Sequence, residues 1–366
     1  MIPSPERRRR IRWTLGAAWA AGIVLTGCTG APPATSWPGL TADSDRAYVA
    51  FQSHVYAVDE QTGRELWRFP SEADPARTYY ATPVLTGTGL LVVGGYDHKV
   101  YALDVERGTE EWRFDGAADR IIGGAALAGD LVLVPVADGK LYALRATDGE
   151  LVWTFQADAG LWTAPLIDGE TAYVPSLDHH LYAVRLSDGR SMWDVNLGSA
   201  LVDTPSLIDG RLLVGTFEQR MLALQPGESQ PVWTLPTQGL VWGNPAAADG
   251  VAYFGDIAGV MYAFHPEDGS EVWQYAQPNA IVPTPALDQG RLFFVTQAGE
   301  VFARNAVDHA PIWQTSEEQK AGLGRLLSEP RVQGDVLLVA SMEGDRLLTA
   351  FDTASGDVRW TFAPTD

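Results

Sequence analysis

Residues 100–112 read VYALDVERGTEEW, and closely similar stretches recur along the chain. Residues 55–67 read VYAVDEQTGRELW and residues 261–273 read MYAFHPEDGSEVW, each with an Ala ten positions before a Trp. The same frame occurs eight times, as Ala57/Trp67, Ala102/Trp112, Ala143/Trp153, Ala183/Trp193, Ala223/Trp233, Ala263/Trp273, Ala303/Trp313 and Ala350/Trp360. Successive Trp residues are 45, 41, 40, 40, 40, 40 and 47 positions apart. A period near 40 residues is typical of a repeat architecture.

The Ala–Trp frame predicts a hairpin. The turn sequence Glu60-Gln61-Thr62-Gly63 lies between Ala57 and Trp67, so folding there places the Ala opposite the Trp. Opposed Cβ atoms on one face of a hairpin are about 5 Å apart, and a small residue leaves room for an indole ring. Gly, which adopts positive φ without strain, stands four positions before the Trp in six repeats: Gly63, Gly108, Gly149, Gly189, Gly269 and Gly356. Ser229 and His309 replace it in the fifth and seventh repeats, where we expect less regular turns.

Each repeat also carries the pattern of four short strands. Residues 163–194 contain the segments TAPLI, TAYVP, LYAVR and SMWDV, separated by turn sequences. A Pro in the first segment suits a strand with one unpaired edge, and it occurs in seven repeats, as Pro38, Pro83, Pro165, Pro205, Pro245, Pro285 and Pro330, with Ala125 in the third. The sequence therefore predicts an all-β fold, an eight-bladed β-propeller of four-stranded antiparallel blades over residues 37–366. The eight repeat Trp residues are interpreted as structural groups that pack between blades.

Residues 1–27 are predicted to be a lipoprotein signal peptide. Five Arg precede the apolar run of residues 13–27, which is shorter than the roughly 20 residues that cross a bilayer. The run ends in Leu25-Thr26-Gly27-Cys28, which looks like a bacterial lipobox, and Cys28 is the single Cys of the chain. We expect lipidation at Cys28, with residues 28–36 as a lipidated Cys and flexible tether. Thr29 favours the outer membrane, facing the periplasm; without an outer membrane the anchor would hold the outer face of the cytoplasmic membrane.

The charge of the chain restricts its partners. Its 26 Lys and Arg against 46 Asp and Glu give a net charge of −20, and loss of residues 1–27, with five Arg and one Glu, would leave −24. Such a charge repels nucleic acid and anionic lipid, so binding to nucleic acid is excluded and membrane contact is expected through the anchor only.

The frame AVDEQTGRELW, from Ala57 to Trp67, resembles the tryptophan-docking motif of the PQQ-type propellers, and the resemblance covers residues 37–366. The WD-repeat alternative fits less well, since only Trp193-Asp194 gives a WD dipeptide. One branch of the PQQ-type propellers, the quinoprotein alcohol dehydrogenases, carries PQQ, calcium and a vicinal Cys pair, which the single Cys28 does not supply. The other branch, the BamB-like propeller lipoprotein of the outer-membrane barrel-assembly complex, is a scaffold without a cofactor. Signal, lipobox and eight repeats resemble that second layout.

Two sets of polar residues lie between the second and third strand segments. Asp178-His179-His180 has metal-ligand residue types, but the equivalent positions in other repeats indicate a turn, and no metal site is predicted. Acids recur at these positions and are interpreted in the same way, with a charged rim as the alternative: Asp97, Asp138, Asp178, Glu218, Asp256, Glu300 and Asp345.

The segment that leads into the first strand varies from repeat to repeat. Three positions before the Pro, the second, fourth and sixth repeats have Tyr80, Trp162 and Trp242, whereas Val202, Val282 and Leu327 stand elsewhere. The next two positions include Asp203, Thr204, Asn244, Thr284 and Glu329. Aromatic and polar side chains at a channel mouth suit a binding surface, and gap filling between blades is the alternative. Tyr80, Trp162, Asp203, Trp242 and Asn244 are the predicted partner-binding residues.

The sequence as a whole favours a non-enzymatic scaffold. We expect a monomeric ring, without cofactor, that holds an envelope protein or membrane-protein complex and has a role in outer-membrane protein assembly. Two alternatives stay open: a PQQ-dependent dehydrogenase, and a sensor or binding subunit for a small ligand at the channel mouth.

Overall fold

The computed structural model describes residues 37–74, 76–343 and 345–365. These residues form eight four-stranded antiparallel sheets, each made of four consecutive strands, which surround a central channel as the blades of a propeller. The predicted fold class is confirmed. The predicted signal peptide, Cys28 and the predicted tether over residues 28–36 lie outside the described residues.

The strands fall into four sets according to their position in the blade. The innermost strands are β1 (Gly39–Ala42), β5 (Val84–Leu85), β9 (Ala126–Ala128), β13 (Leu166–Asp168), β17 (Ser206–Ile208), β21 (Ala246–Ala248), β25 (Ala286–Asp288) and β29 (Arg331–Gln333). The second strands are β2 (Arg46–Phe51), β6 (Leu90–Gly94), β10 (Leu131–Pro135), β14 (Thr171–Pro175), β18 (Arg211–Thr216), β22 (Val251–Gly255), β26 (Arg291–Val295) and β30 (Val336–Ala340).

The two outer sets complete each blade. The third strands are β3 (His54–Asp59), β7 (Val100–Asp104), β11 (Lys140–Arg145), β15 (His180–Arg185), β19 (Arg220–Leu224), β23 (Val260–Phe264), β27 (Val301–Asn305) and β31 (Leu348–Asp352). The outermost strands are β4 (Glu65–Phe69), β8 (Glu110–Phe114), β12 (Leu151–Gln156), β16 (Ser191–Asn196), β20 (Pro231–Pro236), β24 (Glu271–Ala276), β28 (Pro311–Gln314) and β32 (Val358–Phe362). One short helix, α1 (Glu317–Ala321), lies between the last two blades, where the Trp spacing lengthens.

The innermost strands are shorter than their sequence segments predicted. Each begins one residue after the Pro, or after Ala125 in the third blade, so these residues end the loop rather than sit within the strand. A Pro there fits a strand start, because it has no N–H to donate to the ladder.

The hydrophobic core is divided among the seams between blades. The second and third strands are buried on both faces, as in β10 and β11, because each blade packs against a neighbour on either side. Among the described residues the buried apolar side chains form eight clusters, and every cluster joins two adjacent blades. The eighth seam, between the last and first blades, contains Leu338 and Trp360 together with Val49 and Tyr56.

The structure pairs the Ala with the Trp of its frame in all eight blades. The register shifts directly after each pair: Val58, which follows Ala57, pairs with Glu65, so Leu66 is the extra residue of a β-bulge in the fourth strand. Five of the Trp side chains are only 8–9% exposed: Trp67, Trp112, Trp153, Trp273 and Trp360. Trp193, Trp233 and Trp313 are half-buried, which is less than the sequence suggested.

Each buried Trp packs onto the turn of the following blade. The indole N–H of Trp112 donates to the carbonyl of Ala146 at 3.0 Å, and the ring lies against Gly149, where an added Cβ would come within 2.5 Å of it. Gly149 also has φ +74, so this position needs glycine both for its backbone and for the close approach of the ring. The same relation links the last blade to the first, since Trp360 donates to the carbonyl of Glu60 at 2.7 Å.

The expectation of irregular turns holds for one of the two blades without the Gly. In the fifth blade the positive φ moves to Gly227, and Glu228 donates to the carbonyl of Gln225. In the seventh blade the expectation is wrong, because His309 itself adopts φ +51 and its ring packs 5.2 Å from that of Trp273. The contact with the preceding Trp accompanies a left-handed conformation that is uncommon for a non-glycine residue.

The ring closes without exchange of a strand, because the first blade and the last each consist of four consecutive strands. Besides the Trp360 bond, Gln333 donates to the carbonyl of Asp43 at 3.0 Å and Arg68 to that of Thr365 at 2.8 Å. The Ser328 hydroxyl donates to the carbonyl of Pro38. Side-chain bonds to backbone therefore join the two ends of the propeller.

Candidate functional site at the channel mouth

The site is built from the loops that lead from the fourth strand of one blade into the first strand of the next, called here the mouth loops. In six of these loops an apolar residue four positions before the first strand's Pro, or before Ala125, is buried in the seam: Ile121, Leu161, Leu201, Val241, Ile281 and Leu326. Five of these residues also donate their N–H to a carbonyl at the end of a second strand, as Leu161 does to Val136 at 3.1 Å. The residue directly after each of these buried apolar residues is thereby turned toward the channel.

The structure brings the predicted residues together. Tyr80, Trp162, Asp203, Trp242 and Asn244 all line one cavity of about 490 Å³ at the end of the central channel. Trp162 is 42% exposed, which favours a surface role over filling a gap between blades. Thr204, Thr284 and Glu329, which the sequence placed at the same loop positions, line the cavity as well.

Trp37 is a lining residue that the sequence analysis missed. Its ring lies edge-on to both Tyr80 and Trp242, with centroid distances of 6.3 and 6.1 Å and interplanar angles of 86° and 87°. Tyr80 and Trp242 belong to the loops of the second and sixth blades, so Trp37, which precedes the first blade, joins distant parts of the mouth. Its position directly before Pro38 corresponds to that of Thr204 and Asn244 in other repeats, which was the available signal.

The aromatic side chains are supported from the neighbouring loops. Tyr96, between the second and third strands of its blade, lies with its ring 4.5 Å from that of Tyr80. Phe217, in the equivalent loop of the fifth blade, lies 5.3 Å from Trp242. The Arg120 guanidinium lies 5.2 Å from the Tyr96 ring centroid. These contacts hold two of the rings in place before any partner binds.

Polar groups line the channel beneath the aromatic side chains. The Thr163 and Thr204 hydroxyls are 2.9 Å apart, and the Asn244 backbone N–H donates to the Thr284 hydroxyl at 3.0 Å. Thr204, Asn244, Thr284 and Glu329 also line a second cavity, which opens among the turns of the fifth and sixth blades. These shared polar residues therefore lie between the two cavities.

Asp203 is the most perturbed acid of the site. Its side chain keeps part of its surface open to the cavity, yet protein surrounds it closely enough that desolvation raises its pKa well above the usual range. The nearby Glu329 carboxylate raises the pKa further. Hydrogen bonds from the Thr204 N–H, at 2.8 Å, and from the Asn244 side chain oppose the shift but do not cancel it.

The Asp178-His179-His180 segment forms a turn at the end of its blade. The Asp178 carboxylate accepts hydrogen bonds from the His180 N–H, the Tyr182 hydroxyl and the Asp158 N–H at 2.8–2.9 Å. The His180 ring lies between Asp194 and Asn196, at 2.8 and 3.0 Å. These hydrogen bonds thus occupy the side chains of Asp178 and His180.

Several of the recurring loop acids act in the same way. Asp138 accepts the Lys140 N–H at 2.9 Å, and Asp256 accepts the N–H groups of Val260 and Gly239 and the Tyr262 hydroxyl. Glu300 is bound by Thr296, Asn279 and Lys320. These acids close turns and attach them to the mouth loops.

No helix among residues 37–74, 76–343 and 345–365 has the length and apolar character needed to cross a membrane.

Comparisons with known proteins agree with this architecture. The model of the family described as outer membrane protein assembly factor BamB matches residues 13–155, 51–275 and 276–366. The curated outer membrane protein assembly factor BamB of Nitrosomonas eutropha is 27% identical over 116 residues, which are 31% of this chain and 27% of that protein. The match thus spans about a quarter of the length of that relative.

Two solved structures are similar in fold. The crystal structure of BamB from Moraxella catarrhalis has a TM-score of 0.64 at 18% identity, over 78% of this chain and 88% of that chain. The computationally designed Ika8 protein has a TM-score of 0.73 at 13% identity, over 87% of this chain and 96% of that one. At such identities these structures show the propeller fold alone. The family match extends over most of the sequence, and the chain accordingly belongs to the family of the outer membrane protein assembly factor BamB.

Proposed function

We propose that this chain is a lipid-anchored scaffold of the cell envelope that binds another protein at the mouth of its propeller and acts in outer-membrane protein assembly. The observation that carries the proposal is the convergence of Trp37, Tyr80, Trp162 and Trp242 at one end of the channel. Exposed aromatic rings with polar groups beside them are typical of protein-binding surfaces. Family membership supports the assembly role.

The proposed lipid anchor would hold the mouth of the propeller toward the membrane. Lipidation at Cys28 leaves eight residues, 29–36, before Trp37, and a chain of that length extends at most about 28 Å. Because Trp37 lines the mouth, this tether would keep the mouth near the membrane surface, on the periplasmic side of the outer membrane. The mature charge of −24 would keep the ring from lying flat on anionic lipid. A partner met there is a membrane protein or a substrate that emerges at that surface.

Site-specific cross-linking tests the proposal. Photo-reactive residues at positions 80, 162 and 242 should capture an envelope protein in cells. The same residues in the turns beside Gly149 and Gly269, at the opposite end of the blades, are the matched controls. Capture from the control turns alone, or of cytoplasmic proteins alone, would show that the mouth is not the binding surface.

The anchor needs its own test. Cys28→Ser should release the protein from the membrane fraction or leave an unprocessed precursor, measured by fractionation and intact mass. Normal processing with full membrane retention of that variant would refute lipidation at Cys28.

A further inference from the structure

We propose that the channel mouth binds an organic cation, a guanidinium or ammonium group on a short alkyl chain such as an Arg or Lys side chain, between its aromatic rings and the carboxyl group of Asp203. The inference rests on the proposed function and deepens it, since it names the chemical group by which a partner is recognised.

The arrangement of the rings is the first argument. Trp37 stands perpendicular to both Tyr80 and Trp242, so the three rings form walls that meet at right angles. Trp37 and Trp162 are 39% and 42% exposed, which leaves aromatic surface open to a ligand. A cation within about 6 Å of an aromatic face is attracted by the negative charge of that face, and Trp gives the strongest attraction.

The charged groups that line the channel beneath the rings are the second argument. Glu329 is already paired with Arg331 at 2.8 Å, so its carboxylate has a cationic partner within the protein. Asp203 has no Lys or Arg within ion-pair distance among the described residues, and its hydrogen bonds come from the Thr204 N–H and the Asn244 amide. Ionised Asp203 would therefore be a largely buried carboxylate without a cation, and a guanidinium or ammonium group that enters the cavity would neutralise it.

The lining favours an organic cation over a metal ion. Metal ions such as Ca²⁺ need six to eight oxygen ligands, and the described residues contain no group of three or more His, Cys, Asp or Glu placed to hold one. The Thr163, Thr204 and Thr284 hydroxyls beneath the rings add acceptors for several N–H donors. A cavity of about 490 Å³ admits the end of one Arg or Lys side chain.

Binding should depend on pH. Burial and the Glu329 charge raise the pKa of Asp203, while a bound cation favours its ionised form, so binding releases a proton. The charged and titratable groups facing Asp203 across the mouth are Glu329, Arg331 and Tyr80, whose own pKa is raised by burial. Affinity is thus expected to rise with pH until Asp203 is ionised in the free protein.

Calorimetry with the full chain in mild detergent tests the inference. The probes are N-acetyl-arginine amide, N-acetyl-lysine amide and N-acetyl-citrulline amide, which replaces the guanidinium by a neutral group of the same shape. We expect saturable binding of the first two and at least tenfold weaker binding of citrulline. Asp203→Asn and Trp242→Leu should each weaken arginine binding tenfold or more, and Trp242→Phe should restore part of it. Asp168→Asn, in a turn at the other end of the blade, is the matched control.

The outcomes separate this inference from the proposed function. Equal binding of arginine and citrulline, or full binding by a folded Asp203→Asn protein, would overturn the cation site while cross-linking from positions 162 and 242 persists. Loss of those cross-links in the Asp203→Asn variant would assign the cation to the partner protein. Unchanged cross-links together with lost arginine binding would assign it to a free small amine and refute recognition of a partner by this group.

Discussion

The repeat Trp makes two contacts at the scale of single residues. Its ring packs in the seam between blades, and in seven of the eight blades its N–H donates to a backbone carbonyl of the next blade, as that of Trp112 does to Ala146. The Ala opposite it gives space on its own blade, and the Gly four positions before the next Trp gives space on the neighbour. The spacing of Ala, Gly and Trp therefore follows from the packing of each Trp ring against its own blade and the next one.

The Trp positions should differ in their contribution to stability. Replacing buried Trp112 by Ala should cost about 3–5 kcal/mol of unfolding free energy, because it leaves a cavity in the seam and an unpaired carbonyl. Trp193→Ala should cost at least about 1 kcal/mol less, since Trp193 is half-buried. Denaturant unfolding of both variants measures the difference. An equal loss would contradict the view that seam burial decides the contribution.

A pair of glycines separates backbone strain from close packing. Both Gly149 and Gly169 have positive φ, but an added Cβ meets the Trp112 ring at 2.5 Å only at Gly149, and meets nothing within 4 Å at Gly169. Gly169→Ala should cost about 1 kcal/mol, and Gly149→Ala about 1–3 kcal/mol more. Thermal unfolding of the two variants measures the cost of backbone strain and the added cost of close packing. Similar losses would mean that the Trp ring moves aside without cost.

At the scale of elements, the turn between the second and third strands positions the mouth loop of its own blade. In the sixth blade Asp256 is fully buried and accepts the Gly239 N–H at 2.8 Å, the Val260 N–H at 3.0 Å and the Tyr262 hydroxyl at 2.8 Å. Gly239 lies in the loop that carries Trp242. One carboxylate thus connects the turn, the third strand and the mouth.

Removal of this carboxylate should loosen the mouth. Asp256→Ala leaves three donors unpaired, and we expect a loss of about 2–4 kcal/mol of unfolding free energy. Hydrogen exchange at the Gly239 amide should accelerate together with exchange near Trp242. Asp138→Ala is the matched control, because the Tyr142 hydroxyl lies 3.3 Å from that partly exposed acid. Equal exchange in both variants would contradict the role of Asp256.

At the scale of the whole molecule, the seam between the last and first blades combines packing with acidic charge. Glu60, whose carbonyl accepts the Trp360 N–H, is 7% exposed. Burial, with the charges of Asp43, Asp45, Asp335 and Asp59, raises the pKa of Glu60 to about 7. Above that pH the seam contains a buried negative charge among other acids.

The seam should therefore respond to pH. The pKa of Glu60 is higher in the folded state, so its contribution to stability is complete below the unfolded value near 4.5 and is lost as pH rises through about 7. Glu60→Gln should stabilise the protein by about 1 kcal/mol at pH 8, allowing for solvent screening, and change little at pH 5. Unfolding measured at both pH values, with exposed Glu170→Gln as control, provides the test. A stabilisation independent of pH would show that Glu60 does not titrate in the seam.

The sequence alone determined the number of blades, the four-strand order and the pairing of each Ala with its Trp. These features follow from local patterns, the alternation within a strand and the distance between turns, repeated eight times. The sequence also placed Tyr80, Trp162, Asp203, Trp242 and Asn244 within the three loop positions before the Pro of each repeat, because a repeat fixes where each position lies in its blade.

Only the tertiary structure decided how the ends meet and what surrounds each mouth residue. The bond from Gln333 to Asp43 joins the last blade to the first, and no local pattern specifies it. The Trp of the last repeat, Trp360, repeats the bond of other blades, but it finds its partner Glu60 in the first blade only because the ring closes. Trp37 meets Trp242, five blades further along the chain, and Asp203 lies near Glu329 only because the ring closes. His309, in its left-handed turn, likewise contacts a ring of the preceding blade, that of Trp273. Such contacts depend on the summed rotation of eight blades about the channel, which is a property of packing between blades and not of any one repeat.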